Sequence, residues 1–383
     1  MHQEIEEVLS GKKRGCVVAG DCIEVMKQMP DECVQCVVCS PPYLQQRDYQ
    51  VEGQIGLEDS VDEYINKLVE VFREVRRILR KDGILWVNIA NCYATTVSGS
   101  VGNSGIDRQM GDVYTRLHNR QYGHGARKER IRKEKLLRDY KPKDLIPLAW
   151  LLGIALRKDG WWLRSDVIWE KPNPVPEQML DRPTKSHEYV LQLAKSSQCF
   201  YDGVAVMEDS VDPESYKGRS FRGRKAVYEA GVVPGISGVS NRSESIRKYP
   251  KRCRRDVWVI PVQGYKNFYA AFPERLPELC ILAGTSEKGC CLKCGAPWER
   301  VIEHSIEGIK TVGWQPTCSC GIEDTLGCVV LDPFMGSGTT GVPALKLGRR
   351  FIGIDLNREY VKMAFERLRK VSPLFGDVME VIE

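Results

Sequence analysis

Residues 328–340 read CVVLDPFMGSGTT, and residues 350–355 read RFIGID. The apolar run Cys328-Val329-Val330-Leu331 suits a strand covered on both faces, as in a parallel sheet. It ends on Asp332, turns through glycines and enters a helix at about Thr339, which places a crevice at the carboxyl edge of the sheet. Gly336 and Gly338 let the backbone approach a ligand without interference from a Cβ. The second run closes on Asp355, where an acid can hydrogen-bond ribose hydroxyls. A nicotinamide cofactor is disfavoured because the third glycine of the dinucleotide fingerprint is missing, and no Lys stands beside the glycines as a P-loop requires. A cofactor with adenosine but no phosphate, S-adenosylmethionine, fits better.

The rest of the chain repeats this strand and helix grammar. Residues 16–19 form a short apolar run closed by Gly20-Asp21, residues 23–29 have helical spacing, and residues 34–39 are a second continuous apolar run. The spacing of Tyr64, Leu68, Val71, Phe72, Val75 and Leu79 predicts a helix over 61–80, followed by a strand over 84–90. Asp144 is read as the N-cap of a helix over 145–157, with strands following over 162–169, 189–194 and 256–260 and a short helix over 277–283. The pattern predicts a doubly wound, mostly parallel α/β sheet.

The apolar run at 34–39 ends in Ser40-Pro41-Pro42-Tyr43. Two prolines cannot continue a central strand, and they fix φ so that carbonyls project in a set direction. A rigid carbonyl, a hydroxyl acceptor and an aromatic ring together suit a planar exocyclic amine. A proline turn that merely caps a strand is the alternative for the tetrapeptide alone; its pairing with the 331–340 motif favours chemistry.

The chain has 383 residues, 42% of them hydrophobic, and a net charge of +5, which argues against a disordered chain. At ~100–200 residues per domain the length suits two domains or one enlarged by insertions. Charge is unevenly spread: residues 108–143 carry +8 and residues 215–255 carry +10, leaving −13 on the remainder. Both segments, rich in Gly, Ser, Arg and Lys, read as loops, and their charge suits a polyanion. The acidic N-terminus lacks the apolar stretch of a signal peptide, and the run at 145–156 is too short to cross a bilayer.

Together these motifs resemble the amino-methylating DNA methyltransferases of the permuted β class, in which the proline motif precedes the cofactor motif. Gly20-Asp21 is similar to that family's strand-end acid near the adenine, and Trp86-Val87-Asn88-Ile89 to its next strand. Residues 166–173, 181–184 and 186–188 resemble its middle motifs, and residues 272–277 the segment that closes over the methionine moiety. The resemblance implies the class I S-adenosylmethionine-dependent fold in circularly permuted order. It implies cofactor contacts from Asp21, Asp332, Phe334, Gly336, Ser337, Gly338, Thr339 and Asp355, and a catalytic set of Ser40, Pro41, Pro42 and Tyr43. Ser40, where other members carry Asp or Asn, favours cytosine N4, with adenine N6 the alternative. Methylation at cytosine C5 would need a Pro-Cys nucleophile, and no proline here precedes a cysteine. Cys39 is expected to face the sheet interior. Further implied are a duplex DNA partner, functional pairing with a restriction endonuclease, no membrane, and a cytoplasmic site in a prokaryotic or phage-infected cell.

Fifteen cysteines in a chain with no secretory signal read as thiols or metal ligands. Cys291 and Cys294, then Cys318 and Cys320, form two tight pairs, each followed by glycine and separated by 23 residues. Such pairs suit one tetrahedral, structural Zn²⁺. Cys290 is an alternative ligand, His304 lies between the pairs, and a CxxC redox pair is the weaker competitor. A zinc-containing DNA-binding module without catalysis is the more distant alternative for the whole chain. The expected organisation is a catalytic part over 1–208 with a basic insertion at about 95–143, a target-recognition insertion over 209–255, and a catalytic part over 256–383 that carries a zinc knuckle at about 288–322.

Overall fold

A computed structural model of the chain describes residues 2–94, 139–177, 179–210, 251–263, 272–305, 308–372 and 377–382. Of the two basic segments, all but the last five positions of each lie outside the described residues.

The apolar runs assemble into one sheet. In chain order its strands are β1 (Gly15–Ala19), β2 (Val34–Cys39), β3 (Leu79–Ile89), β4 (Trp162–Glu170), β5 (His187–Ala194), β6 (Val257–Val259), β7 (Val329–Asp332), β8 (Arg350–Asp355) and β9 (Val378–Val381). They lie side by side in the order β6-β4-β5-β3-β2-β7-β8-β1-β9. β5 is antiparallel to both its neighbours, and every other pairing is parallel. This is the doubly wound, mostly parallel sheet expected from the sequence.

Alternate strand residues supply two cores, which is why the runs are apolar without a break. Cys16, Val18, Val37, Cys39, Leu85 and Val87 pack with α1 (Gln3–Leu9), α2 (Cys22–Lys27), α3 (Val61–Ile78) and α4 (Leu148–Lys158). Val17, Cys36, Val38, Ile84, Trp86 and Val330 pack with α5 (Arg275–Gly284), α6 (Gly341–Lys346) and α7 (Arg358–Val371). Cys39 is fully buried in the first core, facing inward as expected. α3 begins where the Ser60 side chain accepts the Glu63 amide at 3.2 Å and ends with Arg76 and Arg77 against its carbonyl end. Its buried face includes Tyr64, Leu68, Phe72 and Val75, each contributing about 1.5–3 kcal/mol.

Two boundaries differ from the reading of the sequence. The helix expected from residue 145 starts at Leu148, because Leu145–Ile146 pairs with Cys92–Tyr93 as a short antiparallel ladder. Asp144 therefore caps no helix; its carboxylate accepts the Lys141 amide at 2.9 Å within the preceding turn. α3 stops at Ile78, and Leu79 already belongs to the strand. No described helix is long and apolar enough to cross a membrane.

Candidate active site

Parallel strands deliver their carboxyl ends to one edge of the sheet. β5 runs the other way, so its first residues, His187 and Glu188, arrive at that same edge. A cavity of about 550 Å³ opens there, within the range of ligand pockets. It is lined by Asp21 after β1, Ser40, Pro41, Pro42 and Tyr43 after β2, Asn88 of β3, Lys171 after β4, and Asp332, Phe334, Gly336, Ser337, Thr339 and Asp355 at the ends of β7 and β8. The two motifs, some 290 residues apart in sequence, thus face one space. Gly338 stands behind the wall, at φ +76°, where a Cβ would come within 3.1 Å of Ala364 in α7. Its glycine serves the packing of that helix.

Three carboxylates point into this space. Asp332 accepts the Thr340 hydroxyl at 2.6 Å and the Phe334 amide at 3.0 Å. Asp355 accepts the amides of Gly336 and Asn357, each at 2.8 Å, which folds the glycine turn onto the end of β8. Asp21 caps α2 by accepting the amides of Ile23 and Glu24 at 2.9 and 3.1 Å. Burial pushes the Asp332 carboxyl up to about 7, against the opposing hydrogen bonds from Thr340 and Phe334. Burial likewise raises Asp355 to about 6, against the amides of Asn357 and Gly336. Adjacent acids raised by burial favour a ligand that brings positive charge, and the sulfonium and ammonium groups of S-adenosylmethionine do so.

Because Asp332 keeps its proton in the folded chain where the unfolded chain has lost it, folding binds a proton between the usual carboxylate value and about 7. Stability of the ligand-free protein therefore falls as pH rises through that window. Urea denaturation across pH 4.5–7.5, a range of about three units chosen to bracket it, should show this slope, and Asp332→Asn should reduce it to the part that Asp355 contributes below about 6. An unchanged slope in the variant would contradict the assignment.

The sequence pattern did not disclose how the turn is held. Arg367 of α7 donates to the hydroxyls of Thr339 (3.0 Å) and Ser337 (3.3 Å) and to Glu274 (2.8 Å). Glu274 sits two residues past Phe272, so the segment that lines the cavity with Phe272 is tied to the glycine turn. Tyr49, on the loop after the proline motif, meets Tyr360 edge to face at 6.0 Å, and both rings line the cavity beside Asp355. Following directly on Tyr43, this loop was the one available signal.

The proline motif is fixed from both sides. The Tyr64 hydroxyl of α3 donates to the Pro42 carbonyl at 2.9 Å. The Tyr43 hydroxyl donates to Glu188 Oε2 at 2.7 Å, the same oxygen takes Asn88 Nδ2 at 3.1 Å, and Lys171 Nζ bonds Glu188 Oε1. Burial and the Glu188 charge together raise the Tyr43 hydroxyl well above its ordinary pKa, so it is a neutral donor.

The paired cysteines also converge. The sulfurs of Cys291, Cys294, Cys318 and Cys320 all lie within 4.8 Å of one another. Four sulfurs around one Zn²⁺ at about 2.3 Å would stand about 3.8 Å apart, so the donor set fits with a small contraction. Gly295 and Gly321 after each pair take left-handed φ of +70° and +67°, which gives the two turns their shape. Burial pushes the Cys291 thiol up, but the amides of Cys294 and Lys293 together with the thiols of Cys318 and Cys294 outweigh it and lower the thiol to about 7. Cys290 points away, donating to the Leu326 carbonyl at 3.2 Å, which removes it as an alternative ligand. The side chain of His304 lies outside the described residues. The cluster sits at the amino edge of the sheet: Gln35 donates to the Gly295 carbonyl at 3.3 Å, and Arg80 to that of Cys294. Gln35 and Ser40 are separated by a β-strand of about 17 Å, so the cluster is remote from the cavity.

Comparison with known proteins agrees with this geometry. A family model described as DNA methylase matches residues 34–366. The type II methyltransferase M.SmaI of Serratia marcescens is 34% identical over 370 residues, covering 96% of both chains. M.Cfr9I of Citrobacter freundii is 34% identical over 350 residues, 91% of this chain and 86% of its own. Among solved structures, the PvuII DNA methyltransferase, described as cytosine-N4-specific, superimposes with a TM-score of 0.51 over 96% of this chain and 95% of its own. At 16% identity that likeness speaks for the fold alone. With the family model spanning most of the sequence and two relatives above 30% identity along nearly its whole length, the chain belongs to the N6/N4 family of DNA methyltransferases, which take their methyl group from S-adenosylmethionine.

Proposed function

We propose that the protein methylates the exocyclic N4 amine of cytosine at a specific sequence in duplex DNA. The observation that carries this reading is Ser40 at the head of the proline motif, in the same cavity as Asp332 and Asp355. S-adenosylmethionine would lie against Asp21, Asp332, Phe334, Gly336, Ser337, Thr339 and Asp355, and supplies an electrophilic methyl group there. The amine's lone pair is delocalised into the ring, so it attacks poorly unless the amine is drawn toward sp³ geometry. Ser40 Oγ and the Pro41 carbonyl are the acceptors that do this, the Pro42 carbonyl being taken by Tyr64. Tyr43, its hydroxyl held by Glu188, presents its ring to a base flipped from the duplex and offsets part of an unstacking cost of a few kcal/mol. No covalent intermediate is needed. Methylation of adenine N6 is the second reading on the same architecture.

In this reading residues 215–255 read the target sequence and residues 108–143 clamp phosphates, both as insertions in one catalytic domain. The type II names of the relatives favour a functional pairing with a restriction endonuclease. Cys291, Cys294, Cys318 and Cys320 hold a structural Zn²⁺ that braces the amino edge. Incubating the protein with labelled S-adenosylmethionine and duplex DNA, then digesting to nucleosides, tests the central reading. The label should run as N4-methylcytosine; label in N6-methyladenine would replace this reading by the second.

A further inference from the structure

Cytosine and adenine both carry an exocyclic amine, so the amine alone does not select between them. Along the edge that bears it, cytosine presents the amine, then ring N3, then the O2 carbonyl, whereas adenine presents the amine, ring N1 and then a C–H. A donor at the far end of that edge meets an acceptor on one base and a hydrogen on the other. A base lying on the Tyr43 ring with its amine at Ser40 and Pro41 has that amine at the backbone end of the ring and runs its edge toward the hydroxyl end. Lys171 stands there. Its ammonium bonds Glu188 Oε1, and the other oxygen of that carboxylate takes the Tyr43 hydroxyl at 2.7 Å, so a single carboxylate bridges ammonium and phenol. We propose that Lys171 donates to the O2 carbonyl of the flipped cytosine and is a specificity-determining residue of the site.

The inference rests on the proposed methylation of cytosine at the proline motif. The Lys171 side chain is 19% exposed and lines the cavity. Its place is fixed from several directions. The Lys171 amide donates to the Ser186 carbonyl at 2.8 Å, and the ammonium lies 4.5 Å from the centre of the Trp169 ring, whose indole N–H is itself bonded to the Ile260 carbonyl at 2.8 Å. An ammonium carries three N–H donors. Glu188 takes one and no other described residue accepts from it, so donors remain for a ligand. Glu188 also offsets the cost of holding this charge partly out of water. Lys185, on the same wall, is held instead by the Asn91 carbonyl. A fixed donor that meets a C–H is left without a partner, so the contact works against adenine as well as for cytosine.

The test is single-turnover methyl transfer to duplexes that carry the protein's own site, located by sequencing modified DNA, and differ only in the target base. That base is cytosine, adenine, or a 2-aminopyridine C-nucleoside, which keeps the amine and ring nitrogen of cytosine but has a C–H in place of O2. The wild-type protein should prefer cytosine to both, and Lys171→Met should lower each preference by about 10–10²-fold, chiefly by slowing the cytosine duplex. A lysine that only anchored Glu188 would slow all three duplexes alike and leave the ratios unchanged. Because Lys171→Met strips Glu188 of its cation, the same comparison is made in Lys171→Met with Glu188→Gln, where the orphaned charge is gone and the same fall in preference is expected. Wild-type ratios in either variant would overturn the inference while leaving the cytosine reading in place. A wild-type preference for the adenine duplex would overturn the cytosine reading, and the inference with it.

Discussion

Ser40→Ala should lower the methyl-transfer rate by about 10²-fold or more while leaving S-adenosylmethionine affinity within about twofold. Ser40 touches the cavity at the end of β2, whereas the acids expected to hold the cofactor stand on β1, β7 and β8. Losing the hydroxyl removes the acceptor that makes the amine nucleophilic, an interaction strongest in the transition state, so the loss belongs in kcat. Tyr43→Ala should reduce transfer as severely, because it removes both the stacking face, worth about 1–3 kcal/mol, and the partner of Glu188. Equilibrium binding of the cofactor beside single-turnover kinetics on duplex DNA separates these effects. Full turnover by both variants would sink the active-site assignment.

Removing the metal should be the largest single loss of stability. Protein purified without chelator should contain one zinc per chain, and Cys294→Ser should lower stability by about 4 kcal/mol or more, about 5 °C or more in Tm. The reason is mechanical. The turn at Cys294 and Gly295 is latched to Arg80 and Gln35, and Gln35 also accepts the Val329 amide at 2.5 Å, so the knuckle grips β2, β3 and β7 at once. Without the proposed metal, four converging thiols would lose what orders their turns, and that grip would loosen with them. Metal analysis with thermal denaturation checks both parts; protein without zinc would remove the claim.

Much of the fold could be read directly because its strands are buried on both faces, which writes them into the sequence as unbroken apolar runs such as Val34–Cys39. The glycine turn and its two acids were legible for a similar reason, since a close backbone approach demands those residue types at those places. Direction is another matter. Nothing in the residues His187–Ala194 says that this strand runs against its neighbours, yet that reversal brings Glu188 to Tyr43, 145 positions away. The ion pair of Lys171 with Glu188 follows from register, Trp169 lying opposite Glu188, and register is not encoded locally. Helix starts were misplaced where tertiary pairing won: Leu145 has helical spacing but is taken by Tyr93. The cysteine spacing pointed to a cluster of sulfurs, yet only geometry separates Cys291, which joins that cluster, from the adjacent Cys290, which turns to Leu326.

The account stands on one carboxyl-edge cavity in which the 40–43 and 331–340 motifs act together on a DNA amine. Sequence-resolved detection of modified bases in DNA from cells expressing the protein, beside cells expressing Ser40→Ala, tests it most directly. The account predicts N4-methylcytosine at one fixed position of one recurring site, absent with the variant. Unmodified DNA in both, or the same modification in both, would contradict it.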